Sequence, residues 1–166
     1  ERARGQYLVE LSRQPTASAK KQFKETKDKY RKSKEYLKSP NGERTKLERN
    51  QWIIVRTPLF KQWFGDWENG EVPKELLDEN GEPKIFYHQT ANEFDTFDVR
   101  HRGAGSTDDK TPFGVFLKPN ADDIGVSGNI QMPLFVRMHN PIKFNNRYEL
   151  KNYLVKNVPG YAEAQA

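Results

Sequence analysis

Two short apolar segments, separated by a polar loop, constrain the fold of this chain more than any other feature. The first is Ile85–Asp98 (IFYHQTANEFDTFD) and the second is Pro112–Lys118 (PFGVFLK). Each contains a run rich in aromatic and β-branched residues, which is typical of a largely buried strand. His88 ends the apolar run of the first segment, and Phe116 lies in the second. Side chains of these two types can form a slot for a flat cationic ring.

Composition points to a small protein without membrane or metal sites. The 166 residues suffice for one domain with a helical appendage. No stretch approaches the ~18 apolar residues of a membrane span, so we expect no membrane partner. The chain has no cysteine, which excludes disulfides and cysteine-based zinc sites. The histidines His88, His101 and His139 lack the spacing of a metal site, and we predict no bound metal.

Charge divides the chain into two parts. Residues 1–50 hold 15 Lys and Arg against 7 Asp and Glu, whereas residues 51–166 have a net charge of −3. We expect 1–50 to be a basic helical linker or appendage and 51–166 to be the functional domain. A helix is predicted over 18–38, which contains no Gly or Pro. Its lysines suit a nucleic acid or another anionic surface, but acidic residues interleaved among them favour a solvated linker helix.

Local signals predict the remaining elements. Thr57 as N-cap and Pro58 at the first helical position begin a helix over 57–68. Pro133 places the start of a later strand at a sheet edge or bulge. The other predicted elements are strands at 84–88, 114–118, 131–138 and 142–144, a short helix from Asn120 to about Gly125, and a helix over 147–158 that Asn146 caps.

The order of several motifs resembles a known group of domains. The motifs are WFGDW, DENGEP, YHQT, FDTFD, a glycine-rich loop, PFGVFLK and NPI. They resemble the ADP-ribosyltransferase-like domains of phage MuF-type proteins and of large polyvalent proteins of phages and conjugative elements. Those domains are similar to the His-Tyr-Glu class, which includes diphtheria toxin and the poly(ADP-ribose) polymerases. The resemblance covers about Thr57 to Val158. It implies an α+β fold with a split, mainly antiparallel sheet and small flanking helices, preceded here by the basic N-terminal helix.

The resemblance also implies roles for residues around the slot. His88 would donate a hydrogen bond to the nicotinamide ribose of NAD, and the backbone of Gln89 would meet the carboxamide. Thr90 could bond the ribose or cap the end of the strand. Phe116 would stack on the nicotinamide ring, where cation–π attraction contributes ~1–2 kcal/mol in a desolvated site. His88 and Phe116 are thus the predicted catalytic residues, and NAD is the predicted co-substrate.

The loop at residues 100–111 carries candidate phosphate ligands. Arg100 and Arg102 could grip the pyrophosphate of NAD in a bidentate manner, with glycine amides helping. Gly114, which follows this loop, completes the predicted cofactor-binding set. The alternative is an ordinary surface loop whose charges are solvated.

The chain departs from the family pattern in several respects. Gln89 replaces a common glycine and adds a side chain at the mouth of the slot, and Phe116 replaces a tyrosine. The segment 122–127 lacks a second aromatic residue. The third family motif is a glutamate on a later strand, which would stabilise positive charge on the ribose. Neither Glu149 nor Glu163 lies in a strand-like context. We expect that strand to follow residue 166, a partner to supply the carboxylate, or the domain to be inactive.

Together these features predict an NAD-dependent ADP-ribosyltransferase that modifies a protein or nucleic-acid acceptor. The resemblance implies a toxin or effector of a phage or mobile element. Such a domain would be cytoplasmic or delivered into a target-cell cytoplasm, as part of a larger polypeptide. Two alternatives stay open. One is a nucleic-acid-binding or RNA-cleaving domain that uses His88, His101 and Arg102 as acid, base and phosphate clamp. The other is a catalytically silent fold of the same type, used for binding.

Overall fold

The computed structural model describes residues 16–94, 97, 115–121 and 128–161. The helices in these ranges are α1 (Ala17–Tyr30), α2 (Arg49–Ile54), α3 (Pro58–Phe64) and α4 (Arg147–Asn157). Two 3-10 turns cover Trp67–Asn69 and Lys74–Leu76, and the strands β1 (Phe86–Thr90) and β2 (Ile130–Leu134) form an antiparallel pair. This combination confirms the predicted α+β class. The loop 100–111, Gly114 and the helix predicted after Asn120 lie outside the described residues.

Helix α1 is fixed to the rest of the protein along one side. Thr16 caps its N-terminus, since the Thr16 hydroxyl accepts a hydrogen bond from the Ala19 N–H at 3.1 Å. Ala19 and Thr26 are buried. The side chain of Gln22 accepts a hydrogen bond from the Leu59 N–H, on α3, at 2.9 Å. These contacts dock the helix instead of leaving it as a solvated linker.

Helix α1 ends at Tyr30, so the prediction that it extends to residue 38 is wrong. The following residues form turns, and Leu37 has a left-handed φ of 58°, which costs a residue other than glycine about 1–2 kcal/mol. Packing offsets this cost. The rings of Tyr30 and Tyr36 meet the ring of Trp52 edge-on, at centroid distances of 5.2 and 5.5 Å. Tertiary contacts therefore override the helix propensity of this segment.

Helices α2 and α3 follow one another with separate N-terminal caps. Helix α2 was absent from the sequence prediction, and its capping box uses the side chains of Glu48 and Gln51. Helix α3 begins as predicted, with the Thr57 hydroxyl accepting from the Phe60 N–H at 3.2 Å. It ends before Gly65, whose φ of 116° suits only glycine. A 3-10 turn therefore replaces the last part of the helix predicted over 57–68.

The hydrophobic core is built mainly from α2, α3 and the turns that follow them. Its buried residues are Leu47, Trp52, Ile53, Val55, Phe60, Phe64, Trp67, Leu76 and Phe135. The ring of Phe60 stacks on Phe64 at 5.0 Å and meets Phe135 edge-on at 5.1 Å. Such aromatic pairs contribute about 0.5–1.5 kcal/mol beyond their burial. Phe135 directly follows β2, so its side chain attaches the sheet to the helices.

An ion pair is buried beside this core. Arg56 Nη2 donates to Glu82 Oε1 at 2.8 Å, and Glu82 has no exposed surface. The other carboxylate oxygen of Glu82 accepts from the hydroxyls of Ser39 and Thr45, at 2.7 and 2.5 Å. The guanidinium of Arg56 lies 3.8 Å from the centroid of the Trp52 ring. Both oxygens of the carboxylate thus have donors, which is the condition under which a buried charge is tolerated.

Strand β1 lies between β2 and a short extended segment. The Tyr87 N–H donates to the Lys118 carbonyl at 2.8 Å, and the Lys118 N–H donates back at 2.9 Å. Residues 115–118 make only this bridge, so the full strand predicted there is wrong over those residues. On the other side His88 pairs with Met132, and Tyr87 pairs with Pro133. Both backbone groups of Tyr87 point away from β2, so no hydrogen bond between β1 and β2 is formed at the Tyr87–Pro133 pair. The missing N–H of Pro133 therefore costs the ladder nothing, which agrees with the edge position predicted for this proline.

Helix α4 is formed by local signals and stays on the surface. The Asn146 side chain accepts from the N–H groups of Tyr148 and Glu149, both at 3.0 Å, which confirms the predicted cap. No residue of α4 is buried. The strand predicted at 142–144 is wrong, because these residues pair with no other strand. Within the described ranges, no helix is long and apolar enough to cross a membrane.

We expect Glu82→Ala to lower the free energy of unfolding by about 3–5 kcal/mol, because it leaves the Arg56 guanidinium buried without its carboxylate. Urea unfolding followed by tryptophan fluorescence measures this loss. The control is Glu79→Ala, which removes an exposed ion pair with Lys46 and should change stability little. Equal losses in the two variants would contradict the importance of burial.

Candidate functional site

His88 is the central residue of β1, and its side chain lies in an aromatic cluster. Its ring meets Phe97 edge-on at 4.9 Å and Phe94 at 5.7 Å, and these two phenylalanine rings meet each other at 4.9 Å. Met132, opposite His88 on β2, is buried. Two phenylalanine rings therefore contact the ring of His88 and restrict its rotation. Such packing is what holds a functional side chain in one geometry.

One backbone hydrogen bond sets the position of the proton on this ring. His88 Nδ1 lies 3.0 Å from the carbonyl oxygen of Phe116. A carbonyl oxygen can only accept, so Nδ1 carries the hydrogen and donates it. In the neutral ring Nε2 is then an acceptor, which can receive a hydrogen bond from a hydroxyl group. The sequence suggested that the ring donates to the ribose, and that role stays a prediction.

Phe116 presents its ring to solvent, although it lies in an apolar run. The residue is 63% exposed, so it does not belong to the core. Its carbonyl accepts from His88, and the bridge at Lys118 anchors the segment two residues later. An exposed aromatic ring and an oriented histidine thus belong to neighbouring, hydrogen-bonded segments. The slot between the two rings stays a prediction.

Gln89 uses its backbone and its side chain in different directions. Backbone N–H and C=O groups alternate along a strand, so those of Gln89 point to the same side as those of Tyr87. That is the side on which the Phe116 segment lies. The side-chain amide of Gln89 instead donates to the carbonyl of Gly128 at 2.5 Å. The extra side chain is therefore tied to the residues that lead into β2.

Thr90 closes the turn after β1. Its hydroxyl donates to the Asn92 carbonyl at 3.1 Å and accepts from the Asn92 N–H at 3.3 Å. Of the two roles considered for Thr90, these bonds favour the cap of the strand end. The ribose role stays a prediction.

Gly128 permits a close backbone approach at the same end of β1. A Cβ atom on Gly128 would lie 2.3 Å from the carbonyl carbon and oxygen of Thr90. Its φ of 131° is also a conformation that other residues rarely adopt. The geometry beside Gln89 and Thr90 therefore depends on a glycine at this position.

The whole cluster lies within a region that a family model matches. The family is described as ADP-ribosyltransferase in polyvalent proteins, and the match spans residues 78–165, just over half of the chain. The chain belongs to this family. Comparisons with curated proteins and with solved structures found no significant match. Membership confirms the resemblance seen in the sequence, and it supports ADP-ribosyl transfer as the general function.

The ADP-ribosyltransferase region contains the site but little of the core beneath it. Both strands, α4, His88 and Phe116 lie within the matched residues. Among the buried residues of the core cluster, only Phe135 does. The site strands of this transferase family member therefore rest on helices that precede the matched region.

Several predicted residues of the site lie outside the described residues. These are Arg100, His101, Arg102, Gly114 and Glu163. Their roles in binding NAD, in acid–base chemistry or as the third-motif carboxylate stay predictions. Among the described residues, no cluster of His, Asp and Glu could hold a metal ion.

Glu149 is used to stabilise helix α4. Its carboxylate accepts from the Asn145 N–H at 3.0 Å and from the side-chain amides of Asn145 and Asn146 at 3.1 and 3.4 Å. A carboxylate at this position also interacts favourably with the N-terminal end of the helix. The structure therefore gives Glu149 a structural role and does not place it on a strand.

Phe94, Phe97 and Gly128 belong to the site, although the sequence argument assigned them no role. Two phenylalanines spaced by three, directly after a strand that ends near a histidine, are the signal that could have identified the first two. Gly128 gives no such signal, because its close partner Thr90 is distant in sequence. Only the antiparallel pairing of β1 with β2 brings the two together.

We expect NMR correlation spectra of the imidazole nitrogens to show His88 as the Nδ1–H tautomer at a pH where the ring is neutral. The hydrogen bond to the Phe116 carbonyl is the reason. His139 is exposed and should show the mixture of tautomers of a solvated imidazole. Observation of Nε2–H as the main form of His88 would contradict this hydrogen bond.

Gly128→Ala should destabilise the protein more than Gly70→Ala. Both glycines have a positive φ, 131° and 78°, which costs other residues about 1–2 kcal/mol. At Gly128 the added methyl group also collides with the backbone of Thr90, whereas at Gly70 nothing lies within 4 Å. Thermal unfolding of both variants makes the comparison. Equal shifts in Tm for the two variants would show that the close contact between Gly128 and the backbone of Thr90 does not contribute to stability.

Proposed function

We propose that this domain binds NAD and transfers its ADP-ribosyl group to an acceptor, with release of nicotinamide. The observation that carries the proposal is the geometry of His88. Its Nδ1 donates to the Phe116 carbonyl, which leaves Nε2 as a hydrogen-bond acceptor in the neutral ring, and Phe116 itself is exposed. A ribose hydroxyl next to a flat cationic ring fits this pair of groups.

In this proposal His88 positions the nicotinamide ribose. Nε2 accepts a hydrogen bond from a ribose hydroxyl, and the contacts with Phe94 and Phe97 keep the imidazole from rotating away. A fixed acceptor orients the sugar without the entropy loss that ordering a mobile side chain would add. His88 does not attack the sugar and undergoes no covalent change.

Phe116 provides the stacking surface for the nicotinamide ring. Its exposed ring can cover a flat cation, and the attraction contributes ~1–2 kcal/mol once water is excluded. The backbone N–H and C=O of Gln89 point to the side of β1 on which the Phe116 segment lies, and there they bind the carboxamide of nicotinamide. Arg100, Arg102 and Gly114 complete the proposed set of NAD ligands at the pyrophosphate.

The transfer itself exchanges one bond to the ribose for another. The bond between the ribose C1′ and the nicotinamide nitrogen breaks, and nicotinamide leaves with the bonding electron pair. The acceptor forms a new bond to C1′ and loses a proton. A carboxylate would stabilise the positive charge that develops on the ribose. Because Glu149 is used at the start of α4, we propose that this carboxylate lies outside the described residues or comes from a partner.

The biological setting belongs to the same proposal. The family description refers to polyvalent proteins, which is consistent with a toxin or effector domain of a phage or mobile element. Its place of action would be a cytoplasm, either that of its own cell or that of a target cell. The acceptor would be a protein or a nucleic acid.

The organisation of the chain is also part of the proposal. Residues 51–166 form the transferase domain, and residues 1–50 are an appendage to it. Residues 38–45 of the appendage are attached firmly, since the Trp52 Nε1–H donates to the Lys38 carbonyl at 2.9 Å and Thr45 donates to Glu82. We therefore expect the two parts to unfold together.

Calorimetric titration with NAD tests the binding half of the proposal. His88→Ala should weaken NAD binding by about tenfold, which corresponds to ~1.4 kcal/mol for the lost hydrogen bond. Phe116→Ala should weaken it about 5–30-fold, while Phe116→Tyr should retain it because the stacking face remains. His139→Ala is the matched control and should leave the affinity unchanged.

Four outcomes would count against the proposal. Absence of NAD binding by the unaltered chain, or equal affinities of His88→Ala and His139→Ala, would refute the assignment of the site. Binding of NAD without release of nicotinamide in an enzymatic assay would favour the silent fold. RNA cleavage that needs no NAD and disappears in His101→Ala would favour the nuclease reading.

A further inference from the structure

The outer face of α1 carries a continuous row of basic side chains. Lys20, Lys24, Lys27 and Arg31 are spaced by four, three and four residues, so they project within about 60° of one another at 3.6 residues per turn. Arg31 is the C-cap of the helix and keeps helical backbone angles. All four side chains are exposed. Along the axis the row is about 16 Å long at 1.5 Å per residue.

The acidic residues of the same helix lie beside or away from the row. At 100° per residue, Glu25 lies about 100° or more around the axis from every member of the row, whereas Asp28 lies at its margin, about 40° from Lys24 and 60° from Arg31. Glu25 faces Lys21, whose ammonium group is 3.9 Å away. Among the described residues, none of the four members of the row forms an ion pair. The interleaved acids that favoured a neutralised, solvated helix therefore do not neutralise this face.

Docking of the helix fixes the direction of the row. The buried residues Ala19 and Thr26 and the half-buried Phe23 and Tyr30 face the rest of the protein. The row lies about 100° from this buried side at helical spacing. Residues 16–50 carry 12 Lys and Arg against 5 Asp and Glu, whereas residues 51–166 have a net charge of −3. The protein therefore has a basic side that an anionic partner would approach first.

The composition of this surface selects among anionic partners. A helix that binds a membrane surface places Trp, Phe or Leu beside its lysines, and the buried centre of a protein interface is rich in aromatics and poor in Lys. In the described part of the chain, every large apolar side chain that is exposed lies at residue 115 or later. The basic row thus has no apolar neighbours to insert or bury. Single-stranded nucleic acids are bound largely by stacking on aromatic residues, which this face also lacks.

We propose that this row (Lys20, Lys24, Lys27 and Arg31) is a docking surface for double-stranded nucleic acid, which it recognises through the phosphates without reading sequence. A duplex carries one negative charge per about 1.7 Å of its axis, so a 16 Å row meets enough phosphates to pair every cation. The surface lies outside the NAD site and acts as an electrostatic anchor that brings the domain to a duplex.

Fluorescence anisotropy with labelled 20-base-pair duplexes of DNA and of RNA tests this proposal, in the absence of NAD. The quadruple variant with all four row residues replaced by Gln should bind at least about tenfold more weakly at low salt. Its plot of log K against log salt concentration should be less steep by about 3–4, because each phosphate contact contributes about 0.9. The duplex that binds more tightly identifies the natural source of the phosphates.

The matched control places the same change on another helix. Lys143, Arg147, Lys151 and Lys156 are exposed residues on or beside α4, and their replacement by Gln removes the same three lysines and one arginine. This control should retain duplex affinity and the steep salt dependence. Circular dichroism of both quadruple variants establishes that each is folded, and Gln is nearly as favourable as Lys in a helix.

Four results would overturn the proposal. They are no duplex binding by the unaltered chain, equal weakening in the two quadruple variants, tighter binding of the corresponding single strand, and equally tight binding of poly-glutamate. Equal weakening of duplex binding in the two quadruple variants would mean that only the net charge of the protein determines the affinity. Equally tight binding of poly-glutamate would mean that the row binds an acidic protein instead. Because NAD takes no part in the measurement, its outcome is independent of the transferase assignment.

Discussion

The buried pair of Arg56 and Glu82 is the contact on which the arrangement of the remaining elements depends. It connects α2, the turns at 38–45 and the segment that leads into β1. A buried carboxylate that lost its partners would remain as an uncompensated charge in the interior. The pair therefore selects one relative placement of these segments, since alternatives would leave Arg56 or Glu82 without donors or acceptors. The guanidinium of Arg56 also stacks on the Trp52 ring, so the same placement of segments must bring this ring beside Arg56.

This contact also links the part of the chain that carries the site to the part that carries the core. Glu82 belongs to the matched family region, while Arg56, Ser39 and Thr45 precede it. The sheet gains its second anchor from Phe135 against Phe60. A two-stranded sheet alone is only marginally stable in water. The helices that precede the matched region therefore hold His88 in position, although in the proposed site they do not contact the ligand themselves.

Features set by neighbours in sequence were predictable, and features set by distant contacts were not. The caps at Thr57 and Asn146 and the edge position of Pro133 follow from local chemistry, as does the presence of a strand at His88, although that strand continues past His88 to Thr90. The end of α1 at Tyr30 depends on Trp52, a residue that lies far along the chain. The tautomer of His88 depends on a carbonyl 28 residues away. Periodicity and propensity contain no information about such pairs, so the sequence could not assign the tautomer.

Pro133 has a further consequence for how the sheet can grow. Tyr87 directs both of its backbone groups to Lys118, so the backbone of Pro133 faces the outer edge of β2. The proline ring leaves no N–H on that edge, and another strand that docked there would lack one hydrogen bond of its ladder. The proline thus discourages unwanted pairing between copies of the protein along β2. A complete additional strand is accommodated more readily on the opposite side of β1, beyond the segment of Phe116.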